Sequence, residues 1–436
     1  MTTQMEYAIR GTASEEMRKV AKDEGLPVKR IVEGVRRGSI VVLDGKRGRG
    51  VRPLGIGEGL RVKINTNVGT SADLCDLDLE LEKARVAARF GSDTVMDLST
   101  GGDLDAIRQT ILREVKLPLG TVPIYQAAIE AIRSGRSIVD MDEDDIFNTI
   151  SKHAKDGVDF VTVHCGITRQ TVENLRKHQR VTGVVSRGGA FLAAWMIHNG
   201  KENPLYSSYD RLLEIAHEYD LCLSLGDALR PGSLADASDR PQMEELMVVG
   251  ELVERARKGG VQCMVEGPGH MPLNQIASNV NLEKTLCRGA PYYVLGPLVT
   301  DCGTPYDHIS GAIGGAVAAM TGADYLCVVT PAEHLGLPSV EEVKDGVIAS
   351  KLAAHACDIT RLGERHSDVD LKMARARAKL DWETQMRLAL DPERAKAIKE
   401  RVRGSRRGCT MCGPYCTYEL LSKYFGDKKA TGEKCF

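Results

Sequence analysis

Short apolar runs rich in β-branched residues recur along the chain: VKIN at 62–65, TVMDL at 94–98, TVPIY at 121–125, FVTVH at 160–164, GVVS at 183–186, CLSLG at 222–226, CMVEG at 263–267, YYVLG at 292–296 and YLCVV at 325–329. Most are continuous rather than alternating, as strands covered on both faces are. Between most of them lie segments with apolar residues at helical spacing, among them Leu77 to Phe90, Asp144 to Lys155, Tyr209 to Tyr219 and Met243 to Lys258. Strands alternating with helices predict an α/β protein with a parallel sheet. The runs number one more than a closed (β/α)8 TIM-type barrel needs, and such a barrel is the expected fold. Polar residues support closure over an open sheet: Asn67, Asp97, Tyr125, His164, Ser186, Asp227, Glu266 and His334 all fall at or just after the C-terminal end of a run, where barrel enzymes build their sites.

The pattern also divides the chain. Residues 1–60 read as a small helical cap ending in a Gly/Arg-rich loop, 61–362 as the barrel, 363–404 as a helical extension and 405–436 as a cysteine-rich tail. Ser339 to Leu362 and Asp368 to Leu388 are expected to be helices, and Arg401 to Gly408 a linker. Gly311 to Val329 is rich in Ala and Gly but contains Asp324, so it reads as a helix plus a strand and not as a membrane span.

With 42% hydrophobic and 27% charged residues the chain belongs with ordinary globular proteins. Its net charge of -2 gives no global electrostatic reason for nucleic acid or an anionic membrane as partner. Two local basic clusters, Lys46 to Arg52 and Arg401 to Arg407, suit either solvated loops or phosphate contacts. No basic segment followed by an apolar run marks a signal peptide, so the cytoplasm is the expected compartment, with the 12 cysteines reduced unless clustered for metal or redox work.

Cys409, Cys412 and Cys416 form such a cluster, CTMCGPYC. A structural zinc site would want four ligands, and the nearest remaining candidate is Cys435. Three thiolates suit an iron–sulfur cluster that keeps one iron open, whereas electron-transfer clusters are closed by four. A zinc clip and unligated thiols stay open as alternatives on spacing alone. The other cysteines are scattered, many within apolar runs, and suit small buried hydrophobes.

At the expected barrel mouth, VEGPGH at 265–270 and TPAEHLGLP at 330–338 place His270 and His334 beyond two strands, where neutral imidazoles could share a divalent metal or serve structure. VVSRGGA at 184–190 has the form of an anion cradle: the Ser186 hydroxyl, the Arg187 cation and the backbone N–H groups of Gly188 and Gly189. In GDALRPGS at 226–233, Asp227 and Arg230 could bind a ligand or pair with each other.

INTNVGTS, VMDLSTGGD, GTVPIYQA, VTVHCG, GVVSRGG, LSLGDALRPGS, VEGPGHMP, YVLGPLVTD, YDHISGAIGGA, VTPAEHLGLP and CTMCGPYC occur in this order, and on them the chain resembles the phosphomethylpyrimidine synthase family of radical S-adenosylmethionine (SAM) enzymes. The resemblance implies a (β/α)8 barrel homodimer in which the cysteine tail of one subunit reaches the other's barrel mouth. It further implies a [4Fe-4S] cluster on Cys409, Cys412 and Cys416, cleavage of SAM by an electron from a donor such as flavodoxin or ferredoxin, and hydrogen abstraction from 5-aminoimidazole ribotide. The product would be 4-amino-5-hydroxymethyl-2-methylpyrimidine phosphate of thiamine biosynthesis, with 5'-deoxyadenosine, methionine, formate and CO released. Substrate contacts carry over to Asn67, Met96, Tyr125, His164, Ser186, Arg187, Gly188, Asp227, Ala228, Leu229, Arg230, Glu266 and Tyr293, and a second metal, zinc or iron, to His270 and His334.

Two departures stand out. The cysteine triplet is CxxCxxxC where the family has CxxCxxxxC, and 300–308 reads TDCGTPYDH where it commonly has TDIAPGYDH. Three other readings compete: a 5-hydroxybenzimidazole synthase acting on the same ribotide, a zinc-dependent barrel lyase or hydrolase, and a ribotide-binding protein without catalysis.

Overall fold

A computed structural model describes residues 2–44, 49–401 and 409–420. They fall into two compact units, Met1–Leu362 and Gly363–Phe436.

The first unit is built on a closed barrel of parallel strands: β3 (Lys63–Val68), β4 (Thr94–Asp97), β5 (Leu119–Thr121), β6 (Phe160–Val163), β7 (Cys222–Leu225), β8 (Cys263–Gly267), β9 (Tyr292–Leu295) and β10 (Tyr325–Cys327), with β10 pairing back onto β3. The (β/α)8 expectation holds. The strands' apolar residues are buried, apart from Leu295 at the cavity end of β9, because helices cover them outside and side chains fill the barrel inside. Helices Leu77–Phe90 and Tyr209–Tyr219 have the expected limits, while Glu143–Asp156 and Arg240–Lys258 extend beyond them. The start of Glu143–Asp156 is fixed by a capping box between Asp142 and Asp145, and its end by Gly157 at φ 97°, a left-handed conformation that glycine adopts without steric cost.

Two expected strands are corrected. GVVS at 183–186 is not a strand: Gly183 takes a positive φ and the Ser186 hydroxyl caps the helix Arg187–Asn199, accepting from Gly189 N–H at 3.2 Å. TVPIY at 121–125 is only the end of a strand, since β5 stops at Thr121 and Pro123 opens the helix Pro123–Arg133, a position where its missing N–H costs nothing.

The opposite, N-terminal end of the barrel is closed by the segment before β3. It holds three helices, Gln4–Ile9, Glu15–Glu24 and Val28–Arg37, and an antiparallel pair, β1 (Ile40–Leu43) with β2 (Leu54–Gly57). Lys63, fully buried, pairs with Glu24 at 3.0 Å, and the Gln262 amide makes both backbone hydrogen bonds of Val42, at 2.7 and 3.1 Å. Of the basic cluster Lys46 to Arg52, Lys46 to Gly48 lie outside the described residues; Arg49 bonds Asp159 at 2.9 Å and Arg52 pairs with Asp23, so both serve structure.

After the barrel, Val340–Leu362 forms one helix as expected. In the second unit the expected helix Asp368 to Leu388 is broken into Glu364–Ala378 and Trp382–Leu388, with Leu380 at positive φ between them, and Pro392–Glu400 follows. Residues 402–408, most of the expected linker, lie outside the described residues. No described helix is long and apolar enough to cross a membrane.

Candidate active site at the barrel mouth

Inward-facing residues form a packed floor halfway up the barrel. Phe160 meets Tyr325 edge-on, Tyr325 stacks on Tyr293 at 4.2 Å, and Asn65 donates to Tyr293 Oη and Asn67 Oδ1 while accepting from Thr94 Oγ1. Above it opens a cavity of about 290 Å³. Its walls carry Asn67, Met96, Tyr125, His164, Arg187, Asp227, Arg230, Glu266 and Tyr293. Ser186, Gly188, Ala228 and Leu229 stand behind the wall: Ser186 Oγ is 3.0 Å from His164 Nε2, and a side chain at Gly188 would run into the His164 ring.

The charges in the cavity are unequal in effect. Burial pushes the carboxyls of Asp227 and Glu266 up, toward their neutral forms. Arg230, 3.4 Å from Asp227 Oδ1, opposes this for both, and the hydroxyls of Thr162 and Ser224 donate to Glu266 Oε1 at 2.7 and 3.2 Å. Burial, with Arg230 adding to it, lowers His164 to about 3, so its imidazole is neutral. Arg187 lies over the Tyr125 ring at 4.8 Å, its charge exposed at the mouth. Glu333 also lines the cavity and is likewise raised by burial, so Arg187 and Arg230 face three acids drawn toward neutrality, and the cavity suits an anionic ligand that also offers hydrogen-bonding groups. Two buried atoms beside it, His164 Nδ1 and Asp227 Oδ2, lack a hydrogen-bond partner among the described residues.

The anion cradle is narrower than its sequence suggests. Gly189 packs against Ala228 and its N–H is taken by the Ser186 cap, which leaves Arg187 as the polar group of the cradle that lines the cavity. Asp227 and Arg230 pair with each other and also face the cavity, so their two readings coexist. Asp97 faces instead a small void with Ser99, Arg108 and His153.

Away from the cavity, His270 Nε2 and His334 Nε2 face each other at 3.2 Å. Each ring's Nδ1 is held by a carboxylate, Asp301 Oδ1 at 2.8 Å for His270 and Asp307 Oδ2 at 3.1 Å for His334. A carboxylate on Nδ1 fixes that nitrogen as donor and leaves Nε2 with its lone pair, the arrangement of a metal-binding imidazole. Two nitrogens bound to one zinc ion at about 2.0 to 2.1 Å with tetrahedral angles stand about 3.3 Å apart, so the pair fits a single ion. Asp301 lies in the unusual 300–308 segment, and the segment still delivers this carboxylate.

A family description, the Radical SAM ThiC family, matches residues 3–423. The chain belongs to the radical SAM ThiC family. Its relatives include the phosphomethylpyrimidine synthase of Geobacter metallireducens, 54% identical over 99% of each chain, and that of Desulforudis audaxviator, 55% identical over 97% of this chain and 98% of the relative. Among solved structures, a dihydropteroate synthase from Coxiella burnetii in complex with pteroic acid matches with TM-score 0.42 and 10% identity, over 70% of this chain and 96% of that one. Membership in the radical SAM ThiC family implies an iron–sulfur cluster and SAM, and agrees with the resemblance drawn from the motifs.

The family's cysteines lie in the second unit. Cys409 and Cys412 are half-buried, Cys416 is buried, and a 3-10 turn at Gly413–Tyr415 separates the last two. The backbone N–H groups of Cys412 and Met411 point at the Cys409 sulfur and hold its thiol below the usual range, which favours the ligating thiolate. Among the described residues no three His, Cys, Asp or Glu side chains are gathered as a metal site, and Cys435 lies outside them. The triplet supplies three thiols, the number that suits a cluster with one open iron, where a structural zinc clip takes four ligands.

Sequence reasoning passed over Thr162, Ser224 and Glu245. The first two alternate inward with strand neighbours and look like ordinary barrel filling. Glu245 sits in the first half of the amphipathic helix Arg240–Lys258, where nothing in the local pattern separates a buried glutamate from a solvated one.

Proposed function

We propose that the barrel mouth binds 5-aminoimidazole ribotide and that the protein converts it to 4-amino-5-hydroxymethyl-2-methylpyrimidine phosphate, the activity borne in name by its relatives. The observation that carries the reading is the cavity itself, in which Arg187 and Arg230 face three acids, Asp227, Glu266 and Glu333, all shifted toward neutrality by burial, so that it suits a phosphate monoester joined to a small amino heterocycle.

Arg187, at the start of the helix Arg187–Asn199, would orient the phosphate. Neutral His164, Asp227 and Glu266 offer donors and acceptors to the ribose hydroxyls and the aminoimidazole, and Asn67 and Tyr293 close the floor. Fixing all of these at once removes rotational freedom before reaction. The chemistry requires that water and competing hydrogen donors be kept from the mouth while a radical exists. Cys409, Cys412 and Cys416 would hold a [4Fe-4S] cluster that, with SAM, supplies the organic radical chemistry. His270 and His334 would hold a divalent zinc or iron ion, whose service is Lewis-acid polarisation or orientation of a ligand. The resemblance further supports a homodimer and a flavodoxin- or ferredoxin-type electron donor.

Anaerobic turnover of the reconstituted protein with SAM, reductant and aminoimidazole ribotide, read by mass spectrometry, tests the reading. Hydroxymethylpyrimidine phosphate is expected; 5-hydroxybenzimidazole would replace the reading with its competitor. Cys412→Ala is expected to abolish SAM cleavage, and cleavage at the wild-type rate would remove the cluster assignment. His270→Ala is expected to leave the cluster intact and impair turnover.

A further inference from the structure

The turn Asp227–Arg230 carries two cavity side chains on a backbone that no strand or helix holds. Its conformation is fixed instead from two sides. On one side Glu245, only 3% exposed on the helix Arg240–Lys258, receives the N–H of Ala228 on Oε1 at 2.8 Å and that of Leu229 on Oε2 at 2.6 Å. On the other, Arg180 donates from Nη2 to Leu229 O at 2.6 Å and reaches Arg230 O at 3.5 Å, while Asp239 holds its guanidinium through Nε and Nη2 at 2.6 and 2.7 Å. Gly166 permits the approach of the Glu245 helix, since a side chain there would meet Glu245 Cγ at 2.9 Å. Neither Glu245 nor Arg180 lines the cavity.

A buried carboxylate carries a desolvation cost that a helix surface position would not impose. Burial pushes the Glu245 carboxyl up to about 7, the N–H groups of Leu229 and Ala228 and the charges of Arg180 and Arg230 oppose this, and the two hydrogen bonds select one backbone conformation. The opposite charge on the carbonyl side works in the same sense, because N–H groups drawn toward an anion and carbonyls drawn toward a cation fix the orientation of the peptide planes between them. With the planes fixed, the directions of Asp227 and Arg230 are fixed too.

We propose that Glu245 and Arg180 are positioning residues that clamp the turn Asp227–Arg230 and thereby set the affinity of the mouth for its ribotide, an inference that rests on the ribotide reading above. The clamp acts before chemistry, on ligand binding. Removing it therefore raises KM and spares kcat, since the contacts it orders serve ground state and transition state alike. A residue that only stabilised the fold would lower the amount of active enzyme and leave KM unchanged.

The test uses the full-length reconstituted protein and the variants Glu245→Gln and Arg180→Gln. In Glu245→Gln one oxygen becomes an NH2 group facing a backbone N–H, so one hydrogen bond is replaced by a donor–donor contact. Hydrogen exchange without ligand is expected to be about tenfold faster in a peptide spanning 227–232 and unchanged across the helix Leu104–Glu114; KM for aminoimidazole ribotide is expected to rise about tenfold, with kcat within about twofold of wild type. Should Glu245→Gln not fold, Arg180→Gln carries the same measurements from the other face of the turn. Unchanged exchange in 227–232, or a fall in kcat at constant KM, overturns the proposal. A wild-type protein that neither binds nor consumes the ribotide overturns the function reading instead, and the exchange measurement still decides whether the clamp exists.

Discussion

At the scale of single residues, burial sets the chemistry more than sequence neighbours do. Glu283, fully buried on the helix Leu273–Leu286 with Lys284 Nζ 3.9 Å from Oε2, has its carboxyl pushed up to about 8 by burial. Its ordinary value in an unfolded chain is about 4.3. The folded protein thus keeps a proton that the unfolded chain releases, so stability is lost as pH rises from about 4 to about 8 and levels off above. Glu283→Gln stays neutral throughout and is expected to raise the thermal midpoint relative to wild type at pH 8.5 by more than at pH 5. Any cost of the buried amide is the same at both values, so equal shifts at the two pH values would refute the assignment. His164 illustrates what was legible at this scale. A polar residue directly after an apolar run marks a strand end, and the structure puts it in the cavity wall. Its neutrality was not legible, because the desolvation and Arg230 that cause it come from other parts of the chain.

The elements were legible where packing leaves a long periodic signature, as in Leu77–Phe90 and Tyr209–Tyr219, and illegible where apolar runs are short. GVVS has the composition of a strand, but Gly183 at positive φ and the Ser186 cap give that stretch to a loop and a helix start. TVPIY fails because its apolar residues continue from a strand into a helix, and a five-residue window shows no period that separates the two. The true strand, Leu119–Thr121, was missed in part because Gly120 interrupts its apolar character. The structure supplies the reason for that glycine. Gly120 stands opposite Phe160 in the barrel register, and a Cβ built on it would lie 2.2 Å from the Phe160 ring. Gly120→Ala is therefore expected to destabilise by about 2 kcal/mol through overpacking. In a Phe160→Leu background the same substitution should cost markedly less, because the smaller side chain leaves room for the methyl. A double-mutant cycle by urea denaturation measures the coupling; additive effects would mean that the ring does not set the glycine.

Over the whole molecule, the cap fastens the N-terminal end of the barrel through Glu24–Lys63 and Gln262–Val42, while the opposite end depends on contacts between loops. The barrel was legible from the alternation of runs and helical segments, and so was the end that carries the site. The partners that bind loop to loop were not, since Asp301 and Asp307 become ligands of histidine rings only when β8, β9 and β10 lie side by side. His270 follows β8, Asp301 follows β9, His334 follows β10 and Asp307 opens the helix Asp307–Thr321, so one ion on the two histidines would tie four segments together. An ion that binds only the folded protein stabilises it by about 2.7 kcal/mol at a hundred times its Kd. Tail thiols would also take up zinc, so the measurement belongs in a protein carrying Cys409→Ser, Cys412→Ser and Cys416→Ser. In that background, stripping metal with a chelator is expected to lower the thermal midpoint and returning zinc to restore it. His334→Ala removes one ligand and should abolish the response. Asp307→Asn keeps both ligands but weakens the group that orients one of them, and should shift the zinc titration midpoint upward by about tenfold or more. Equal zinc responses in all three proteins would place the ion elsewhere and leave the histidine pair a structural contact between loops.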